Sequence, residues 1–222
     1  MIEASTTGEY LEQIKALTPV ARAALEAMVT AQGRPVWEPQ PGPQSAAYHS
    51  EADIVFYGGA AGGGKTELLL GVSITEQEHS IIFRREAVQL IGIEERMTQI
   101  LGTRTGYNSQ TGVWRLPEGR VLELGSVKEP GDWVKYQGRP HDAKLFDEIC
   151  HFTEMQFRTL IGWLRTDNPK IRQRVIGAGN PPTTAEGEWV KRFWAAWLDP
   201  NHHNPAKPGE LRWYVTNEKG ED

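Results

Sequence analysis

The feature that most constrains the fold of this chain is a glycine-rich stretch between two apolar runs, Gly59-Ala-Ala-Gly-Gly-Gly-Lys-Thr66. It fits the pattern G-x-x-x-x-G-K-[S/T] of a phosphate-binding loop. Backbone N–H groups can surround a triphosphate only where no Cβ blocks their approach, and glycine meets that need. The pattern also requires a strand before the loop and a helix after it, which "DIVFYGG" and "KTELLLGVSI" are expected to form. A flexible linker is the alternative without chemistry.

Each position of the loop has an expected role in holding nucleotide. The backbone cup comprises Gly59, Ala60, Ala61, Gly62, Gly63, Gly64, Lys65 and Thr66. Lys65 is expected to reach the β- and γ-phosphates as a point charge and to assist catalysis, and the Thr66 hydroxyl to ligate Mg²⁺. The helix that follows presents its positive end to the same anion.

A second motif, the acidic pair in "KLFDEIC", is expected to complete the site. Asp147 would hold the metal, directly or through water, and Glu148 would polarise the attacking water. A glutamate at this position favours an ATP-hydrolysing motor over a kinase. The alternative is an acidic pair that caps a loop before a helix beginning near Thr153.

Strand-like and helix-like patterns alternate along the chain after a Pro-rich passage near Trp37. This alternation predicts an α/β fold with a central, mostly parallel sheet flanked by helices. "GVWRLPEGRVLELGSV" predicts a β-hairpin insertion or sheet edge, and "LRWYVTN" a last strand. Residues 1–36 are expected to form a helical segment, with Thr18 as an N-cap, and residues 37–222 the core domain.

Composition narrows the function classes. The chain has 222 residues, 24 basic and 29 acidic side chains and a net charge of −5, which argues against a protein that coats nucleic acid through a broad basic face. No apolar run reaches the roughly 20 residues of a membrane helix. The single cysteine excludes an internal disulfide. No Cys pair or His-x-x-x-His spacing accompanies His141, Cys150, His151, His202 or His203, so no metal site is predicted there.

Four further residues are candidates for nucleotide contacts. The Gln44 amide can pair with an adenine edge as donor and acceptor, and Trp37 or Tyr48 can stack on the base. A glutamine at a helix start without a ligand is the equal alternative. Asn180, after "VIGAG", lies where such sheets bind ligands and can sense the γ-phosphate, the alternative being an ordinary turn residue.

An arginine usually offsets charge in the transition state of phosphoryl transfer, and the glycine loop contains none. Arg139, Arg85 and Arg84 are the candidates for this arginine finger. A neighbouring subunit is the obvious source if the finger comes from outside the site.

The segments "YHSEADIVFYGGAAGGGKTELLLG", "IIFRRE", "YQGRPHDAKLFDEI" and "GAGNPPTT" together resemble the ATPase domain of the large terminase subunit of tailed bacteriophages. The resemblance implies a RecA-like P-loop NTPase fold of the type with an additional strand and a catalytic glutamate. It also implies ATP and Mg²⁺ as ligands. Asp147 and Glu148 take the place of the second Walker motif, Gln44 of the adenine contact, and the segment around Asn180 of the coupling motif.

The resemblance further implies a motor that drives double-stranded viral DNA into a procapsid. Its expected partners are a homo-oligomeric ring on the capsid portal and the small terminase subunit, in the host cytoplasm and without a membrane. Two departures matter. Many relatives carry an arginine in the loop where this chain has Ala60 and Ala61, which favours a finger supplied in trans. Relatives also continue into a nuclease domain, which this sequence lacks, so no nuclease activity is expected from it. Another RecA-like motor such as a helicase, a P-loop kinase and a non-hydrolysing adaptor remain alternatives.

Overall fold

The computed structural model describes residues 17, 18, 20, 21 and 35–215. Seven strands form one sheet, in the spatial order β1-β7-β6-β2-β5-β4-β3. The strands are β1 (Ile54–Gly58), β2 (His79–Arg84), β3 (Tyr107–Asn108), β4 (Val113–Arg115), β5 (Val121–Ser126), β6 (Ala143–Asp147) and β7 (Arg174–Gly179). The first five in spatial order run parallel, and β4 and β3 are antiparallel additions. The predicted mostly parallel sheet is therefore confirmed.

Six α-helices lie within residues 35–215. They are α1 (Pro43–Tyr48), α2 (Lys65–Thr75), α3 (Leu90–Leu101), α4 (Glu154–Ile161), α5 (Glu188–Phe193) and α6 (Ala195–Leu198). Three of them, α2, α3 and α4, lie between strands. Short 3-10 turns occupy Ala87–Gln89, Pro117–Gly119, Asp132–Tyr136, Ile149–His151 and Ala185–Gly187. Parallel strands need such crossovers because no short turn can join them.

An apolar layer covers each face of the sheet. Neighbouring strand residues point to opposite faces, so the pairs Ile81/Ile82, Phe146/Leu145 and Val175/Ile176 divide between the two layers. One layer includes buried side chains of α2 and α3, and the other those of α4 and α5. The parallel strands are thus buried on both sides, as such sheets require.

Helix α2, which follows the glycine loop, lies in the middle of the first layer. Its consecutive residues 68–73 are all buried, a pattern typical of a helix enclosed by the core. Gly71 lies against the Trp37 ring, and a Cβ at that position would approach ring atoms to 2.3–2.4 Å. A glycine is therefore needed there to let the tryptophan reach the helix backbone.

The strand order places the glycine loop and the acidic pair at the same end of the sheet, where its parallel strands have their carboxyl ends. Strand β7 lies between β1, which leads into the glycine loop, and β6, which ends at Asp147. A strand in this place agrees with the additional strand that the sequence resemblance implies. Because all four strands are parallel, the ends of β1, β7, β6 and β2 lie along the same carboxyl edge.

The predicted hairpin is confirmed, because β4 and β5 pair antiparallel across the turn at Pro117–Gly119; β5 also pairs parallel with β2 and so belongs to the central sheet. Two other elements differ from what the sequence indicates. The pattern of "EGEWVKRFWAAWL" predicts one helix over residues 186–198, which is interrupted at Trp194. The predicted last strand was wrong for residues 211–215, which form no strand; Trp213 is 94% exposed.

The chain divides into two compact units, Met1–Val36 and Trp37–Asp222. In the first unit, the Thr18 hydroxyl accepts a hydrogen bond from the Ala21 N–H at 3.3 Å, the contact expected of the predicted N-cap. The remainder of that predicted helix lies outside the described residues. Among the described residues, no helix combines the length and the hydropathy that a bilayer span requires.

Candidate nucleotide-binding site

The glycine loop joins the end of β1 to the first turn of α2. Gly64 precedes the helix with a φ of 69°, a left-handed conformation that glycine adopts without strain. A Cβ at Gly64 would lie 2.5 Å from Gln44 Nε2. Both facts explain why this position of the motif is glycine, and they leave the backbone N–H groups at the start of α2 directed at the cup.

Gln44 supports this loop from beneath. Its side chain is 2% exposed; its Oε1 accepts from the Gln40 N–H at 2.6 Å and its Nε2 donates to the Gly64 carbonyl at 2.9 Å. Each end of the amide thus has one partner within the protein, and the predicted adenine contact stays a prediction. The same holds for stacking of Trp37 on adenine, although the residue is 7% exposed and its ring packs on Gly71 and Tyr48 in this structure. Tyr48 itself hydrogen-bonds Thr75 and Glu76.

Lys65 folds back over the loop. Its Nζ donates to the carbonyls of Gly59 (3.0 Å) and Ala60 (2.9 Å) and to Asn180 Oδ1 (2.9 Å). All three acceptors are neutral, and no carboxylate of the described residues lies within 4.0 Å of it. This ammonium group therefore carries an unbalanced charge at the position where a phosphate is expected.

Thr66 contacts the acidic motif directly. Its hydroxyl donates to both carboxylate oxygens of Asp147, at 3.0 and 3.2 Å. Asp147 is 1% exposed. Burial raises the pKa of its carboxyl group, and Arg84 and Thr66 oppose that rise. A hydroxyl and a buried carboxylate side by side are hard oxygen donors of the kind Mg²⁺ binds.

Glu148 follows Asp147 in an unusual backbone conformation, with φ 55° and ψ 56°. A left-handed conformation costs a non-glycine residue about 1–2 kcal/mol, and such residues cluster at active sites. Among the described residues only Glu118, at φ 61°, shares this property without being glycine. The turn Ile149–His151 begins immediately after Glu148, so the strained bend swings its half-buried side chain out of the strand direction.

Asn180 lies next to the loop at the end of β7. Besides its contact with Lys65, its carbonyl accepts a hydrogen bond from the Cys150 thiol at 3.1 Å. Burial raises the pKa of Cys150 to about 11, so this thiol remains protonated and able to donate. Asn180 is thereby connected both to Lys65 and to the turn that follows Glu148.

Two predicted arginine fingers lie elsewhere. Arg85 Nη1 donates to the His151 carbonyl at 3.0 Å, so it supports the turn after Glu148. Arg139 pairs with Glu123 near the start of β2, at the opposite edge of the sheet. At about 3.3 Å per residue, that edge lies about 16 Å from the carboxyl end of β2. Neither residue hydrogen-bonds the glycine loop in this structure, and the finger role of each stays a prediction.

The arginine at the site is Arg84, the last residue of β2. Its Nε and Nη2 lie 2.8 and 2.7 Å from Asp147 Oδ2. One signal could have distinguished it: Arg84 ends a predicted strand, so its side chain emerges at the edge that holds the acidic pair.

A cluster of polar side chains near the starts of β2 and β6, at the end of the sheet opposite to the glycine loop, explains how Lys144 is tolerated inside β6. Lys144 Nζ donates to His141 Nδ1 at 2.9 Å, and Glu123 is approached by His79, His141 and Arg139. Burial lowers the pKa of Lys144 to about 8. Potential ligand atoms of the two histidines and Glu123 lie within 4.8 Å of one another, but Lys144 and Arg139 already balance the carboxylate. We therefore interpret this group as structural.

Comparisons with known proteins come from solved structures, since no family model and no curated protein matches the chain. The large terminase of the HK97 bacteriophage is 13% identical with a TM-score of 0.49, over 73% of this chain and 37% of that protein. The large terminase of a thermophilic bacteriophage is 16% identical with a TM-score of 0.45, over 64% of this chain and 36% of that protein. Both are large terminases of bacteriophages. The chain spans little more than a third of either one.

Proposed function

We propose that residues 37–222 form the ATPase core of a viral DNA-packaging motor. The observation that carries the proposal is the pair of contacts across the carboxyl edge of the sheet. Lys65 bonds Asn180 at 2.9 Å, and Thr66 bonds Asp147 at 3.0 Å. A phosphate-binding loop, a carboxylate and an amide are thereby brought together beside Glu148, the set that nucleotide hydrolysis requires.

Thr66 and Asp147 are the residues that would hold Mg²⁺, because their oxygens are adjacent and of the right chemical type. When bound, the ion supplies positive charge to the β- and γ-phosphate oxygens. The chain supplies the rest. Loop N–H groups bind the phosphates, and Lys65 exchanges its carbonyl acceptors for phosphate oxygens. Glu148 orients a water and accepts its proton, and Asn180 detects loss of the γ-phosphate.

The proposed partners follow from the terminase resemblance and from charge. Double-stranded DNA would contact a limited patch, since the net charge of −5 disfavours broad binding. A homo-oligomeric ring on the capsid portal, the small terminase subunit and a nuclease domain in the same polypeptide would complete the motor. Arg139, whose side chain is 44% exposed, remains a candidate finger for a neighbouring subunit.

Replacement of Glu148 by Gln tests the catalytic assignment. We expect ATP binding, measured with a fluorescent analogue and Mg²⁺, to stay within about twofold of wild type. We expect phosphate release to fall by about a hundredfold or more, the scale of losing a general base. Glu118→Gln is the matched control, because Glu118 has the same backbone conformation on an exposed turn. Normal turnover in Glu148→Gln would overturn the proposal.

The alternatives give different products. A P-loop kinase would transfer phosphate to an added acceptor and release little of it free, and an adaptor would bind ATP without turnover. Translocation is tested separately, by displacement of a triplex-forming strand from duplex DNA. A helicase would instead separate the duplex strands.

A further inference from the structure

Arg84 lies beside Asp147, at the position where a cation would meet this carboxylate. Both of its contacts fall on one oxygen, Asp147 Oδ2, at 2.7 and 2.8 Å, while Thr66 holds both oxygens of the carboxylate. Its own side chain is 19% exposed, so the pair is largely shielded from water. The contact is set by the sheet, because β2 and β6 are neighbours paired up to Phe83 and Phe146.

A buried carboxylate without a cation is strongly unfavourable, so Asp147 needs a partner before any metal arrives. Arg84 supplies that partner without the loss of entropy that capture of a free ion would cause, since it is part of the chain. The same carboxylate is the group expected to hold Mg²⁺. A divalent ion beside the Arg84 guanidinium would place two cations at one carboxylate, and their repulsion opposes entry of the metal alone.

We propose that Arg84 is a positioning residue that acts as a built-in counter-ion for Asp147 and prevents the site from binding a divalent metal before nucleotide. The inference rests on the proposed nucleotide site. The charges of Lys65, Arg84, Asp147 and Glu148 sum to zero, although no carboxylate among the described residues contacts Lys65, so the site as a whole offers no net negative charge to a lone metal ion. The negative charge of a triphosphate changes that balance, and metal and nucleotide therefore enter together.

The test measures metal binding without nucleotide, so it does not depend on ATP hydrolysis. Free Mn²⁺ is followed by electron paramagnetic resonance as it is titrated with the purified protein. We expect no saturable binding to wild type, and binding at least about tenfold tighter in Arg84→Gln. Arg84→Lys keeps the charge and should behave as wild type. Arg192→Gln removes an exposed arginine paired with Glu154 and is the control for net charge.

A gain of Mn²⁺ binding in Arg84→Gln that disappears in Arg84→Gln/Asp147→Asn supports the proposal. A folded Arg84→Gln protein without the gain overturns it. If Arg84→Gln does not fold, Asp147→Asn carries the test, because it leaves the Arg84 charge unbalanced beside the loop. Metal-free ATP in EDTA should then bind about tenfold more tightly than to wild type. Unchanged or weaker binding contradicts the proposal, whereas a lack of ATP turnover in wild type would refute only the proposed function.

Discussion

Gln44 offers a sharp choice between two roles, because an adenine contact and a loop support respond differently to the same substitution. Gln44→Ala removes the bonds to the Gln40 N–H and the Gly64 carbonyl. Each buried group left without a partner costs about 1–3 kcal/mol. Gln40 is exposed, so its N–H can hydrogen-bond water once Gln44 is removed, and its contribution to the loss lies at the low end of this range. We therefore expect Gln44→Ala to lower the free energy of unfolding by about 2–4 kcal/mol.

Chemical denaturation followed by fluorescence measures that loss, and nucleotide binding gives the second readout. Loosening Gly64 displaces the backbone of the loop that holds phosphates, so affinities for ATP and GTP should fall by the same factor. Gln44→Glu should be at least as harmful, since it places an acceptor against the Gly64 carbonyl. Gln110→Ala, at an exposed turn, is the control. If Gln44→Ala were fully stable and changed only the preference for ATP over GTP, the loop-support reasoning would be refuted.

Three further predictions concern the strained and buried positions and are tested by denaturation. The pKa of Lys144 is about 8 in the folded protein and 10.5 ordinarily, so between these pH values the unfolded chain binds more protons than the folded one. The free energy of unfolding of the wild type should therefore rise by up to about 3 kcal/mol from pH 8 to 10.5, and Lys144→Met should abolish that rise. Glu148→Gly and Glu118→Gly should each stabilise the protein by up to about 1 kcal/mol, because glycine adopts the left-handed backbone conformation of these positions without strain. A loss of stability in both variants would contradict the claim that these residues are strained. Gly71→Ala should lower the free energy of unfolding by about 1–3 kcal/mol, because the new methyl group would collide with the Trp37 ring, whereas Gly92→Ala, with open space around it, should raise that free energy by about 1 kcal/mol. Equal effects of the two substitutions would contradict the packing argument.

The sequence predicted what depends on local chemistry. The glycine loop, the strand before it and the acidic pair each carry their signal within a few residues, and the parallel order followed from alternation. The side chains that connect distant segments were harder. Gln44 is 20 residues from Gly64, and Arg84 is 63 from Asp147, so only the folded chain shows which polar group each one meets.

The last predicted strand failed for a related reason. The pattern in residues 211–215 alternates as a strand does, but a strand exists only with a partner, and partnership is not encoded in the segment itself. Lys144 interrupts the apolar run before Asp147, yet it lies inside β6. A cation inside a sheet is tolerated there because His141 accepts its hydrogen bond and Glu123 lies nearby, a set gathered from separate segments.

The position of β7 sets the distance between the strand that leads into the glycine loop and the strand that ends at the acidic pair. Neighbouring strands lie about 4.8 Å apart, so a strand inserted between β1 and β6 separates their ends by about 10 Å. At that spacing the glycine loop and the acidic pair face each other across a gap about 10 Å wide and do not lie side by side. If nucleotide binds as proposed, this gap is the space that its terminal phosphate and the attacking water would have to share.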